Sequence, residues 1–133
     1  MDHKKVEIDG VEYIILHPKV EVAAELGFEI AAVLGESVAS LATGDFTAGT
    51  KAFFSKLKPK EAFSLMSRVL STVEAQSTPK MMLDKNGIET HFRGKTGSMV
   101  KVFAATLAFT HADFFVAIQE TIAEAMKKMM EKM

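Results

Sequence analysis

The side chains able to do chemistry are few and widely spaced. Four histidines, His3, His17, His91 and His111, carry the only ordinary pKa values near neutrality, and there is no cysteine. Disulfides, thiolate metal sites and cysteine nucleophiles are thereby excluded. His111-Ala112-Asp113 holds the one close His–carboxylate pair. A metal site there requires His91 to arrive from another element, whereas a His and an Asp at a helix junction ordinarily cap chain ends. Gly94-Lys95-Thr96-Gly97 contains the Gly-Lys-Thr tail of a phosphate loop, but the position five residues before Gly94 is Glu89 and no apolar strand leads in. Ser98 follows Gly97 without the second glycine of a nucleophile elbow. His91, Arg93, Lys95 and Lys101 around Phe92 form a basic–aromatic cluster with less charge than a nucleic-acid face carries. The expectation is a chain with no catalytic residue, no cofactor, no metal and no nucleic-acid partner.

What remains is surface. Met126, Met129, Met130 and Met133 fall on one helical stripe, and Phe115 and Ile122 share that face. Methionine adapts its shape and suits a face that accepts varied partners. The same stripe also fits a methionine-filled core edge or a frayed tail. Phe115, Ile122, Met126, Met129 and Met130 are therefore the candidate partner-binding residues.

The elements that must carry these residues follow from spacing. Val-Glu-Ile and Val-Glu-Tyr-Ile-Ile-Leu flank Asp9-Gly10, which predicts a hairpin over residues 5–16. Pro18 opens a helix predicted to run to about Ala42. Glu21, Glu25, Glu29 and Glu36 form its one acidic stripe, and Val22, Leu26, Phe28, Ile30, Val33, Leu34, Val38 and Leu41 fill most of the rest. A helix apolar nearly all round is expected to be central, or covered by another subunit. Gly27 and Gly35 can mark close helix crossings, and Gly44 a stop. Asp45 caps a short helix with Phe46, Phe53, Phe54 and Leu57, and Pro59 opens another that is expected to reach Ala75, with Phe63, Met66, Val69, Leu70 and Val73 inward. Met81-Met82-Leu83 and Ile88 are expected to form a second hairpin around Asn86-Gly87. Ser98 is expected to cap a helix to Phe109 with Val100, Val102, Phe103 and Leu107 inward. Thr110 to Asp113 interrupts, and a last helix runs from Phe114 to about Met133. His91, Phe92, Arg93, Gly94 and Gly97 are read as a structural entry to the 98–109 helix, with Phe92 as a core plug and glycines permitting a tight turn.

The fold expected is mainly α: one domain over 1–133, with a hairpin arm at 1–17 and a bundle of about five helices over 18–133. At 133 residues and 48% apolar, the chain can bury a core without cross-links. No stretch approaches a membrane span, and Met-Asp-His-Lys-Lys-Val-Glu lacks a signal peptide's apolar core, so a soluble intracellular protein with no membrane partner is expected. The net charge of −1 hides a split. Residues 1–50 hold three lysines against nine acids, a net of −6, and residues 51–109 hold ten bases against four acids, a net of +6. Such a split fits self-association or an oriented partner. It equally fits two halves packed together in one monomer.

His91-Phe92-Arg93-Gly94-Lys95-Thr96-Gly97 leads into an apolar helix that ends in Ala108-Phe109-Thr110-His111-Ala112-Asp113-Phe114-Phe115. This pattern resembles the tail assembly chaperones of long-tailed bacteriophages. Their motif is a His-Phe-x-Gly segment, a helix, and then Asn, an aromatic residue, Ala or Gly, and Asp-Phe-Phe. Asp113 and Phe114 match it, and Thr110 and His111 stand where Asn and the aromatic are usual. The resemblance implies a helical, self-associating, non-enzymatic protein of the host cytoplasm. It implies binding to the tape-measure protein, which is kept soluble before the tail tube polymerises, and absence from the mature virion. A longer frameshifted form would recruit the tail-tube protein. A phage-encoded inhibitor of a host defence complex, with the acidic stripe mimicking phosphates, is the other class that fits.

Overall fold

The computed structural model describes residues 3–35, 39, 42–77 and 79–132, without the side chains of Phe46, Thr47 and Ile122. Glu36, Val38, Leu41 and Met133 therefore lie outside the described residues. The chain is mostly helical, with six helices among the described residues where about five were expected.

Strands β1 (His3–Ile8) and β2 (Val11–Leu16) pair antiparallel across Asp9-Gly10. Both turn residues have positive φ, 51° and 82°, as a two-residue turn matched to strand twist requires. The hairpin does not stand alone. β3 (Val73–Ala75) pairs with β2 in the register Tyr13↔Ala75 and Ile15↔Val73, and β4 (Met81–Met82) pairs with β3, giving one antiparallel sheet of order β1-β2-β3-β4. Tyr13, Ile15, Val73 and Ala75 are all buried and line its inner face. The helix expected to reach Ala75 thus stops at Leu70, because Val73 to Ala75 gain more by completing this sheet than by another helical turn. The expected second hairpin is also overturned. Met81–Met82 pairs with Val73–Ala75, and Asp84 caps a helix by accepting from Gly87 N at 2.8 Å. Gly87 is obligatory for closeness, since a Cβ there would run into the Met82 carbonyl.

The helices are α1 (Val20–Leu34), α2 (Phe46–Lys56), α3 (Pro59–Leu70), α4 (Lys85–His91), α5 (Thr96–Thr110) and α6 (Ala112–Glu131). Asp45 caps α2 through Ala48 N at 3.0 Å, and Pro59 sits in the first turn of α3, both as the sequence predicts. α1 ends at Leu34, earlier than expected. Gly35 takes φ 55° there, and Lys56 Nζ donates to the Leu34 carbonyl at 2.7 Å. Gly35 is a stop and not a crossing.

α1 is not the central helix. Only Leu26, Gly27, Ile30 and Leu34 are buried on it, while Val20, Val22 and Phe28 face out. α5 is central and touches β1, β2, α2, α3 and α6. Its Val102, Phe103, Thr106 and Leu107 are buried, and Val100 is only half-buried. Phe63, expected inward on α3, lies at the surface because Ala62, Leu65, Met66, Val69 and Leu70 fill that helix's inner stripe. α5 starts at Thr96, and Ser98 does not cap it. The Ser98 hydroxyl instead donates to Asp9 at 2.6 Å, beside Lys101 Nζ at 3.0 Å. These bonds tie the hairpin turn to α5 and hold the Asp9 carboxyl below its usual range.

The charge split is answered within the chain at only a few of its groups. Arg68 on α3 reaches Glu29 at 2.6 Å and Glu25 at 3.3 Å on α1, and Lys101 meets Asp9. Such exposed pairs fix orientation more than they stabilise.

Candidate partner-binding surface

α6 is the longest helix, and its two ends have different surroundings. Its first turns pack on the body. Phe115 is fully buried in the core. Phe114 lies across α1 at Gly27, where a Cβ would come within 2.6 Å of its ring. Asp113 is exposed and accepts from Phe114 N at 2.8 Å. From Glu120 to Lys132 every described side chain is exposed. Met126, Met129 and Met130 are 59, 68 and 73% exposed, and Glu124 and Lys128 make only an open ion pair at 3.7 Å on that stretch. Ile122 sits on the same stretch, with its side chain outside the described ones. The stripe is therefore divided: Phe115 belongs to the core and the methionines do not. That division is invisible to periodicity, because the stripe continues unbroken past the point where the body ends.

The α5–α6 junction is held by His111, which is buried. Its Nε2 donates to the Ala23 carbonyl of α1 at 2.9 Å, and its Nδ1 faces Thr110 Oγ1 at 2.6 Å. Burial pushes its pKa down, against the opposing pull of the Ala23 carbonyl and Asp113, so the imidazole is neutral. His111 is thus a tie, and Asp113 is an exposed acid in the first turn of α6, which has no side-chain cap. Among the described residues no cluster of His or acidic side chains can hold a metal ion.

The 91–97 segment is also built into the frame. His91 ends α4 and is hydrogen-bonded through Nε2 to the Tyr13 hydroxyl at 2.8 Å. Phe92 is buried and stacks on the Tyr13 ring with centroids 6.3 Å apart. Burial lowers the His91 pKa, with Lys95 adding to it, and burial raises that of Tyr13, with Asp9 adding to it. Both groups are neutral and keep their bond. Arg93 points outward to Glu89 at 3.3 Å. Gly94 has φ 77° and makes the turn into α5, whereas Gly97 lies in the first turn of α5, where neither its φ nor its surroundings demand glycine. The Tyr13–His91 bond is not foreseen from the sequence. Its one signal is a lone tyrosine at an inward strand position, whose hydroxyl must find a partner.

No described helix is by itself long and apolar enough to cross a membrane. No curated protein and no solved structure matches the chain. A family model described as phage tail assembly chaperone protein, TAC, matches residues 9–131. That match runs from the hairpin turn through the sheet, the His91–Gly94 frame and the junction at His111 to the methionine-bearing end of α6, and the chain belongs to the phage tail assembly chaperone family.

Proposed function

We propose that the chain binds an apolar helical segment of the phage tape-measure protein and keeps it soluble until the tail tube polymerises, then departs before the virion matures. The work belongs to the cytoplasm of the infected host and involves no catalysis. The observation that carries this reading is the outer part of α6, where every described side chain from Glu120 to Lys132 is exposed, three neighbouring methionines among them. Exposed apolar faces of this kind mark interaction sites. Full burial of one such side chain is worth about 1.5 to 3 kcal/mol before ordering costs. One chain therefore grips weakly, and several self-associated copies hold a long client by multivalency. A longer frameshifted form would bring in the tail-tube protein.

The test is co-expression with the tape-measure protein of the same genome, comparing its soluble fraction with and without the chain. Met126→Asp, Met129→Asp and Met130→Asp together are expected to release the client while leaving the melting temperature nearly unchanged, since none of the three supports the core. A client equally soluble alone, or one that never co-purifies, overturns the proposal. The inhibitor reading is the weaker one. It needs a free acidic stripe, and Glu25 and Glu29 are already engaged by Arg68.

A further inference from the structure

A second surface lies away from α6. Three hollows of about 240, 300 and 330 Å³ follow one another along α5, walled by α4, α3 and α2. They are neighbours that share walls, since Phe63 and Met99 line the first and second and Phe54 lines the second and third. The floor is apolar: Leu57 and Met66 lie in the middle, Val100 and Ala104 at the far end. Thr96 to Ala104 on α5 spans about 12 Å. That is the distance over which a partner helix presents side chains i, i+4 and i+8, one for each hollow.

Two observations say what would lie there. The first is charge. Lys51 lines the far hollow. In sequence Lys58 adjoins Leu57 and Pro59, Lys60 adjoins Pro59, and Lys95 adjoins Gly94 and Thr96, all of them lining residues, against one exposed acid, Glu61, that adjoins Ala62. These four ammonium groups are exposed and make no ion pair among the described residues, while Arg93 and Lys101 are already paired with Glu89 and Asp9. The second is an orphan. Thr50 lines the far hollow, is only 7% exposed, and its Oγ1 has no hydrogen-bond partner. Buried hydroxyls ordinarily find one.

We propose that this groove docks an amphipathic helix of a partner protein, with an apolar stripe flanked by carboxylates. The stripe fills the three hollows, the carboxylates meet Lys51, Lys58, Lys60 and Lys95, and a polar side chain of the partner satisfies Thr50. Positive rims of this kind speed encounter and fix orientation, and the apolar floor holds the helix once docked. The site is independent of the methionine face of α6, so neither stands or falls with the other.

The probe is a pair of fluorescein-labelled 18-residue peptides. Both carry leucine at i, i+4 and i+8 on an alanine-rich helix, one flanked by glutamates and the other by lysines. Fluorescence anisotropy with the full chain is expected to show the glutamate peptide binding at least tenfold more tightly. The charge-reversed variant Lys51→Glu, Lys58→Glu, Lys60→Glu is expected to lose at least tenfold, with binding restored toward the lysine peptide. Met99→Gln, a half-buried position, is expected to weaken both peptides. The variant Met126→Asp, Met129→Asp, Met130→Asp is expected to bind the glutamate peptide as the parent does. Equal affinity for the two peptides, or no response to charge reversal, overturns the proposal. Sedimentation provides a further arm. A chain that self-associates and becomes monomeric on charge reversal, with no peptide binding in either state, shows that a second copy covers the groove and overturns the assignment to another protein.

Discussion

Gly27→Ala tests the seat of α6, because two opposed effects of similar size act at one atom. In a helix interior, replacing Gly by Ala stabilises by about 1 kcal/mol, since the unfolded chain has less freedom to lose. Here the new Cβ would come within 2.6 Å of Phe114 Cε1 and 2.8 Å of its Cδ1 and Cζ. No real Cβ tolerates that, so the ring must move. It is wedged between Phe28 at 5.1 Å and Phe115 at 5.7 Å, both edge to face, and Phe115 is fixed in the core. Forcing such a shift costs about 1 to 3 kcal/mol. The sum runs from about neutral to a loss of about 2 kcal/mol. For a chain of this length that loss lowers Tm by about 5 to 10 °C. Thermal unfolding of Gly27→Ala alone and in a Phe114→Leu background separates the two effects. In the shortened background the helix gain is expected to reappear, with a coupling of at least about 1 kcal/mol between the sites. If Gly27→Ala by itself stabilises by the full 1 kcal/mol and the coupling is zero, α6 does not sit on α1 as described.

Other expectations concern the frame and its protonation. Phe92→Ala removes a buried ring stacked on Tyr13 and is expected to cost about 3 to 5 kcal/mol by urea unfolding. An unchanged midpoint would mean that Phe92 is no core plug. His91 and His111 both have folded pKa values below their ordinary 6.5. The unfolded chain therefore binds more protons than the folded one just below that value. Their contribution is present above about pH 6.5 and is lost as the pH falls through the lowered folded values. Tm measured from pH 7.5 down to 5 is expected to decline, and the double variant His91→Gln, His111→Gln to decline less. A flat parent curve would refute neutral, buried imidazoles.

The parts of the fold legible in the sequence are those decided by one residue's own geometry. Asp9-Gly10 reads as a turn because few dipeptides accept two positive φ values. Asp45 and Pro59 read as helix starts because a carboxylate and a fixed φ suit nothing else so well, and Thr110 to Asp113 reads as a break. What stayed hidden was decided by distant partners. Val73 to Ala75 carries a helical spacing and becomes a strand only because Tyr13 to Ile15 offers an unpaired edge. Asn86-Gly87 is a strong turn signal, yet Asp84 and the close approach to Met82 turn it into the start of α4. The candidate site divides in the same way. Spacing puts Phe115 and the methionines on one face, but which of them meet solvent depends on where the body stops. The basic groove was not legible, because its walls come from four helices and Phe63 reads from the sequence as core.

The junction at His111 also makes α6 a lever. Ala112 to Met130 spans about 27 Å of helix, with the first turns held by Phe114 and Phe115 and every described side chain from Glu120 to Lys132 exposed. A tilt of about 10° at the clamp sweeps the methionine end through about 4 Å, most of one helical pitch. Such a tilt would carry the tip along an arc and leave the sheet and α5 in place. On the proposed reading, a grip mounted this way would follow a client that slides or changes register without letting go. Its reach is set by the length of the helix and its play by the fit of one aromatic ring over one glycine.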